Sequence, residues 1–367
     1  MRISTRTRRG RAGFTLVELL VAAALSILIM AVLSTAFQTG LQTLSTLKSL
    51  GDMAERLKTA ETLLRTDLNA EHFATVGNVS GTPGDGSPGA LRVSDLHYES
   101  ATPAGLPLGG YFQIFQSLGS VNEGTDADAL ISSSADGSRG HRLSMTVKRT
   151  GRTPEQLFTA DLSQLNPADR ANVSAQSISD VVVGTQLVSQ WAQIDWFLGT
   201  KTPINGIDTW PLIRRVRVLG SQPLGAPPLT LTTLATTAGD VLSLNPTTNA
   251  LNTIQTIANT VNRSPAGPIT NPAKVGDDIV ITNVLSFEIR PMYTLPPPSP
   301  PTGVLYPVNL ANPDGVFHDL PGGSGQYDSG LGAAGNNRIR VLAVQVKIRV
   351  YDPKNKMTRQ TTLVVKL

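Results

Sequence analysis

Glu18 is the acid whose surroundings most demand an explanation. It is the one charged side chain in an apolar run of 20 residues, 14–33, and a carboxylate in such a run costs up to about 3 kcal/mol at the centre of a bilayer, less near an end. It therefore calls for a cationic partner. The other groups able to do chemistry are dispersed. His72, His97, His141 and His318 lie far apart and none falls in an HExxH arrangement. Asp195, Glu288, Asp314 and Asp319 could meet as paired carboxylates, but scattered acids are ordinarily solvated. The acidic stretches 123–128 and 136–138 lack the ligand order of an EF-hand and read as solvated loops. Arg214, Arg215 and Arg217, with Lys148 and Arg149, could make a small anion patch; without interleaved aromatics they read as a solvated strand face. No nucleophile elbow, Walker loop or dinucleotide fingerprint is present. The expectation is no catalytic residue, no metal and no cofactor.

The element that must position Glu18 is a helix. At about 1.5 Å per residue, residues 14–33 span about 30 Å, the thickness of a hydrocarbon core. Ahead of them lie Arg2, Arg6, Arg8, Arg9 and Arg11 with no acid, a bias that keeps the N-terminus cytoplasmic and sends the remainder outward. Beyond residue 33 the pattern narrows to a stripe, Leu41, Leu44, Leu47, Leu50, Ala54, Leu57, Ala60, Leu64 and Leu68, one face of a continuing amphipathic helix. Glu61 and Arg65 are spaced for an i, i+4 pair. The spacing predicts a helix from Thr15 to about Phe73, within a segment 14–76 whose first part, 14–33, is transmembrane. Gly40 and Gly51 mark where it should bend or melt.

The Gly- and Pro-rich stretch 77–89 ends the helix, and an exported part, 77–367, follows. Strands are expected at 111–115, 143–147, 178–189, 193–198, 212–218 and 279–293, with a turn at Asn205-Gly206 joining the fourth and fifth. Thr153-Pro154-Glu155-Gln156 reads as the start of a helix turning Leu157, Phe158, Leu162 and Leu165 inward. Residues 117–172 and 221–274 read as insertions, the second a low-charge surface stretch with a short helix presenting Leu251, Ile254, Ile257 and Val261. Residues 296–301 form a stiff Pro-rich connector and 322–335 a flexible loop. At the end Leu342, Val344, Val346, Ile348 and Val350 alternate with Ala343, Gln345, Lys347 and Arg349, then Asp352-Pro353-Lys354-Asn355-Lys356 turns the chain into Thr361, Leu363, Val365 and Leu367. That is a hairpin with one buried face. The fold class is α+β: a long N-terminal helix, membrane-spanning in its first half, packed on an antiparallel sheet domain with loop-rich insertions.

From Met1 through Leu33 the chain resembles the type IV prepilins, whose precursors carry a short basic leader, a Gly-Phe junction and a Glu five residues after the cut glycine. Here those residues are Gly13, Phe14 and Glu18. The resemblance implies a leader at 1–13, cleavage between Gly13 and Phe14 by prepilin peptidase on the cytoplasmic side, and methylation of the new amine of Phe14. Glu18 of one subunit would pair with that amine of a neighbour in low dielectric and set the stagger between subunits. It also implies membrane lipid, other pilin or pseudopilin subunits and an inner-membrane assembly platform as partners. The place is a bacterial inner membrane, with the C-terminus outside the cytoplasm, and then a periplasmic or surface filament. Further on, Glu55-Arg56-Leu57, Arg65-Thr66-Asp67-Leu68, Ile194-Asp195-Trp196-Phe197-Leu198, Leu212-Ile213-Arg214-Arg215, Val284-Leu285-Ser286-Phe287-Glu288-Ile289-Arg290 and the last hairpin resemble the J-class type II secretion pseudopilins and the W-type minor pilins. A minor subunit at or near a filament tip is the implied role.

Composition qualifies the charge. The chain has 31 basic and 27 acidic residues, but five of the basic ones are in the leader, so after cleavage 26 basic stand against 27 acidic. A nucleic-acid partner is not expected. With no cysteine the exported part relies on its core alone. Other readings of the N-terminus stay open: a secretory signal cut after Ser34-Thr35-Ala36 to leave Phe37 first, or a plain single-pass anchor under a surface adhesin or glycan-binding domain. Neither has a use for Glu18.

Overall fold

A computed structural model describes residues 15–74, 90–91, 109–116, 141–163, 165–175, 185–220, 229–231, 241–259, 277–294, 317, 320, 326–329 and 340–367. The chain divides into two compact units, Met1–Asp52 and Met53–Leu367. The junction Gly13-Phe14, the loops 77–89, 123–128 and 136–138, the Pro-rich run 296–301, and His97, Val261, Asp314, His318 and Asp319 lie outside the described residues.

Helix α1, Leu16–Leu68, runs unbroken through Gly40 and Gly51. Leu, Ala, Met and other good helix formers dominate it, and their summed propensity carries the helix over the two glycines. Its stripe divides at the unit boundary: Leu41, Leu44 and Leu47 are exposed, whereas Met53, Leu57, Ala60, Leu64 and Leu68 are buried in the second unit. The helix stops at Leu68, short of the expected Phe73. The reason is tertiary: Glu71 bridges to Lys148, whose N–H donates to the Glu71 carbonyl at 2.9 Å, and Phe73–Ala74, β1, pairs with Ala90–Leu91, β2, and Gly109–Gly110, β3. His72 bridges the break, one ring nitrogen 3.3 Å from the Leu68 carbonyl at the helix end and the other 2.7 Å from the Thr146 carbonyl.

The main sheet is large, curled and antiparallel. It is built from β4 (Phe112–Phe115), β5 (Arg142–Lys148), β8 (Trp191–Leu198), β9 (Thr202–Ile204), β10 (Ile207–Val218), β11 (Asp277–Thr294), β12 (Gln326–Asp328), β13 (Arg340–Asp352) and β14 (Met357–Lys366). The order is β12-β4-β5-β8-β10-β11-β13-β14, with β9 beside β10. A separate pair joins β6 (Phe158–Asp161) to β7 (Gln186–Ser189). The 18-residue β11 serves two neighbours, pairing β10 with its first half and β13 with its second. Register shifts occur on both sides, and Asn283 takes a left-handed φ of 61° there; extra residues of this kind bend a strand and raise its twist.

On one face Leu143, Met145, Ile194, Trp196, Leu212, Phe112 and Ile114 form a single core with Leu57, Ala60, Leu64 and Leu68 of α1. This is the helix-on-sheet α+β arrangement. The final hairpin follows the alternation read in the sequence: Val344, Val346, Ile348, Leu363 and Val365 are buried, and β13 pairs with β14 from Ala343↔Lys366 to Asp352↔Met357.

Several expectations are corrected. The helix expected from Thr153 is a single 3-10 turn, Pro154–Gln156, followed by strand β6. Leu157, Phe158, Leu162 and Leu165 are buried as expected, but Phe158 and Ala160 alternate with exposed Thr159 and Asp161, and pairing with β7 decides the backbone. Gln156 accepts the Arg152 N–H instead of boxing the Thr153 cap. A helix does form later, α2, Pro167–Ser174, capped by Asn166 and opened by Pro167. The Asn205-Gly206 turn, with φ of 53° and 80°, closes the β9–β10 hairpin, not a β8–β10 one. Residues 326–328 of the expected loop pair as a strand with β4. Within 117–172, β5 lies between β4 and β8, and within 221–274 Leu242, Leu251, Ile254 and Ile257 are buried, with parallel bridges from Leu242 to Val218 and Thr253 to Gly220. The short helix expected there is one 3-10 turn, Thr256–Ala258.

Candidate functional site

The first turn of α1 holds Glu18. The Thr15 N–H donates to Glu18 Oε2 at 2.9 Å, the Thr15 hydroxyl to the same oxygen at 3.0 Å, and the Glu18 N–H to Thr15 Oγ1 at 3.3 Å. This is a capping box, with Thr15 as the cap and Glu18 at the third helical position, satisfying N–H groups that have no partner in the helix. The signature Thr15-Leu16-Val17-Glu18 was available in the sequence and gives Glu18 a local role that sequence reasoning missed. The carboxylate stays exposed, so it remains available to a cation.

Behind it every residue to Ser45 is exposed, including Leu16, Leu20, Ile27, Met30 and Phe37. Four of the hydroxyls in this stretch are consumed internally. Ser26, Thr35, Thr39 and Thr43 donate to carbonyls four residues back at 2.8–3.1 Å. Most of the exposed surface of this stretch is apolar, an extent that marks contact with lipid or another apolar surface in general. The helix is long and apolar enough to cross a membrane.

In the second unit the arginines are buried, against the expectation of a solvated strand face. Arg214 forks onto Asp67 of α1, Nε to Oδ2 at 2.7 Å and Nη2 to Oδ1 at 2.8 Å, and Trp196 Nε1 donates to Asp67 Oδ2 at 2.9 Å. Burial alone would pull the Arg214 guanidinium down, but the Asp67 hydrogen bonds and charge, with Asp278 3.7 Å away, hold it above the usual arginine range. Arg215 forks onto Asp277 at 2.6 and 2.7 Å and stacks over Phe197 at 4.9 Å. Arg142 reaches Asp195 at 2.9 Å. Asp195 and Glu288 do not form a carboxylate pair: Asp195 is held by Arg142, and Glu288 lies beside Arg290. His141 Nδ1 accepts the Ile289 N–H at 2.8 Å. Among the described residues no group of three or more His, Cys, Asp or Glu side chains could hold a metal ion. These contacts brace the helix and the strands.

Residues 8–34 match the family described as the prokaryotic N-terminal methylation motif. The chain carries a prepilin-type cleavage and methylation motif. At its N-terminus it is thus type IV pilin-like or pseudopilin-like, and the motif implies processing by prepilin peptidase. An apolar helix behind such a motif is the arrangement of a chain anchored in the membrane before assembly. No curated protein and no solved structure matches the chain.

Proposed function

We propose that this pilin-like chain is a minor pilin or pseudopilin: a structural subunit of a type IV pilus or type II secretion pseudopilus, cut between Gly13 and Phe14 and seated at or near the filament tip. One observation carries the reading, an exposed carboxylate within the matched motif, in the first turn of an exposed apolar helix. The exposed half of α1 packs among the helices of other subunits, and Glu18 meets a methylated Phe14 amine there. The J-class pseudopilins and W-type minor pilins remain the subclass favoured, through the order of α1, β8, β10, β11 and the last hairpin. Prepilin peptidase, membrane lipid, the assembly platform and sister subunits are the partners this role requires. The role is structural.

Mass spectrometry of the mature N-terminus tests the processing: methylated Phe14 is expected, whereas an intact Met1 or a start at Phe37 overturns the proposal. The role of Glu18 is separable from its cap. Glu18→Gln keeps a capping-box acceptor and removes the charge; Glu18→Ala removes both. Both variants should be cleaved and inserted in the membrane yet fail to enter filaments. Normal incorporation of Glu18→Gln, with Glu18→Ala defective, would reduce Glu18 to a capping residue.

A further inference from the structure

Alternation along β8 and β10 puts Ile194, Trp196, Arg214 and Val216 toward α1 and Asp195, Arg215 and Arg217 on the other face. On that face lies a buried polar layer. Asp195 accepts from Arg142 Nη2 at 2.9 Å, from Gln193 Nε2 at 3.2 Å and from the Ser144 hydroxyl. The Tyr111 hydroxyl and Ser144 Oγ are 2.7 Å apart. Gln193 in turn accepts from the Ser243 hydroxyl at 2.8 Å, and Asn252 donates to Ser243 at 3.3 Å. Residues 242–254 thus close over the layer, as their bridges to Val218 and Gly220 require.

Among the described residues, three guanidinium groups, Arg142, Arg215 and Arg217, share this layer with two carboxylates, Asp195 and Asp277. Arg215 takes both oxygens of Asp277, and Arg142 with two neutral donors occupies Asp195. Arg217, opposite Gln193 in register, is 9% exposed, and its Nε is fully buried with no acceptor among the described residues. A buried ion without a bonded partner costs several kcal/mol, and a guanidinium relieves that cost best with the two oxygens of an oxyanion.

We propose that Arg217 binds a small oxyanion from solution, of the phosphate, sulfate or carboxylate class, beneath residues 242–254 and beside Asp195. Burial draws the Arg217 guanidinium below the usual arginine range; Asp195 opposes the shift, while Arg215 and Arg142 add to it. That is the electrostatic state of a cation short of counter-charge. The residual exposure is small, which limits the ligand to a compact anion.

The test uses the full chain in detergent at pH 7. Its melting temperature should climb with the logarithm of inorganic phosphate concentration, beyond the response to sodium chloride at matched ionic strength. Arg217→Met removes the charge while keeping most of the volume, and it should lose the phosphate dependence, with at least tenfold weaker apparent binding. Arg359→Gln, on the exposed strand β14, should keep it. Crystals grown with selenate should show an anomalous peak at the Arg217 fork, a readout that does not depend on any variant folding. Equal phosphate responses in wild type and Arg217→Met, a wild-type response no larger than that to chloride, or selenate crystals without that peak would each overturn the site.

Discussion

Two of the carboxylates on helix α1 sit under opposite regimes. Glu18 opens a half in which all side chains to Ser45 are exposed, and among the described residues its oxygens are engaged with Thr15 in its own first turn. Asp67 closes a half that is seated on a sheet, 3% exposed, with both oxygens taken by Arg214 and one shared with Trp196. The lesson is that one continuous helix presents two kinds of apolar surface. The second half is stabilised within the chain, so its defects should be read as loss of folding. The first half has no partner within its own unit, so its defects should be read as loss of assembly.

The largest effect that could break this division is at Asp67. Asp67→Ala leaves Arg214 buried without its fork and Trp196 without its acceptor; removing one member of a buried pair costs about 3–5 kcal/mol. Chemical denaturation of the full chain in detergent should show that loss. A cost below about 1 kcal/mol would mean the pair is merely tolerated and does not fasten α1 to the sheet.

Next comes a matched pair of leucines from the same stripe. Leu64 is fully buried and Leu44 is 67% exposed. Leu64→Ala should cost about 2–5 kcal/mol by cavity formation, and Leu44→Ala less than about 0.5 kcal/mol in the same assay. Incorporation into filaments should reverse the order of interest, with Leu44→Ala defective although fully folded. Equal folding costs at the two positions would erase the distinction between the halves.

How much of this was legible in the sequence depends on whether an element is fixed locally. The alternation of Val344, Val346, Ile348 and Val350 named both the strand and its buried face. The run from Phe14 to Leu33 named the helix, and Glu61-Arg65 its favourable pair, found at 3.3 Å. Local spacing misled at Leu157, Phe158, Leu162 and Leu165, which fit a helical face but also fit a strand and its flanks; pairing with β7 decided the matter. The buried arginines were illegible for a different reason. Arg214 meets Asp67 from 147 residues away and Arg215 meets Asp277 from 62, and nothing in the triplet's own neighbourhood distinguishes a paired guanidinium from a solvated one. The capping box at Thr15 was legible and went unread beside the more conspicuous charge of Glu18.

Acid should probe the seated half selectively. Asp195 is fully buried, and burial alone would raise its pKa; the charges of Arg142 and Arg217 and the hydrogen bonds from Ser144 and Arg142 outweigh this and hold it below the ordinary carboxylate value. Because the folded value is depressed, the stability it contributes is present above the unfolded value of about 3.9 and is lost as pH falls through the folded one. Unfolding monitored below about pH 4 should therefore steepen in wild type. Asp195→Asn should flatten that limb while lowering stability at neutral pH. An unchanged acid limb would show that Asp195 does not titrate in the transition.

The smallest effect sharpens the contrast between buried and exposed charge on the seated half itself. Glu61 pairs with Arg65 at 3.3 Å and with Lys58 at 3.5 Å, but Arg65 and Lys58 keep 49% and 72% of their side-chain surface in water. Solvent screens such pairs, and Glu61→Gln should cost only about 0.3–0.5 kcal/mol, fading in high salt. Asp67 sits less than two turns further along the same helix. If neutralising Glu61 costs as much as removing Asp67, then helix charge in general, and not the buried fork onto Arg214, holds this half of α1 in place.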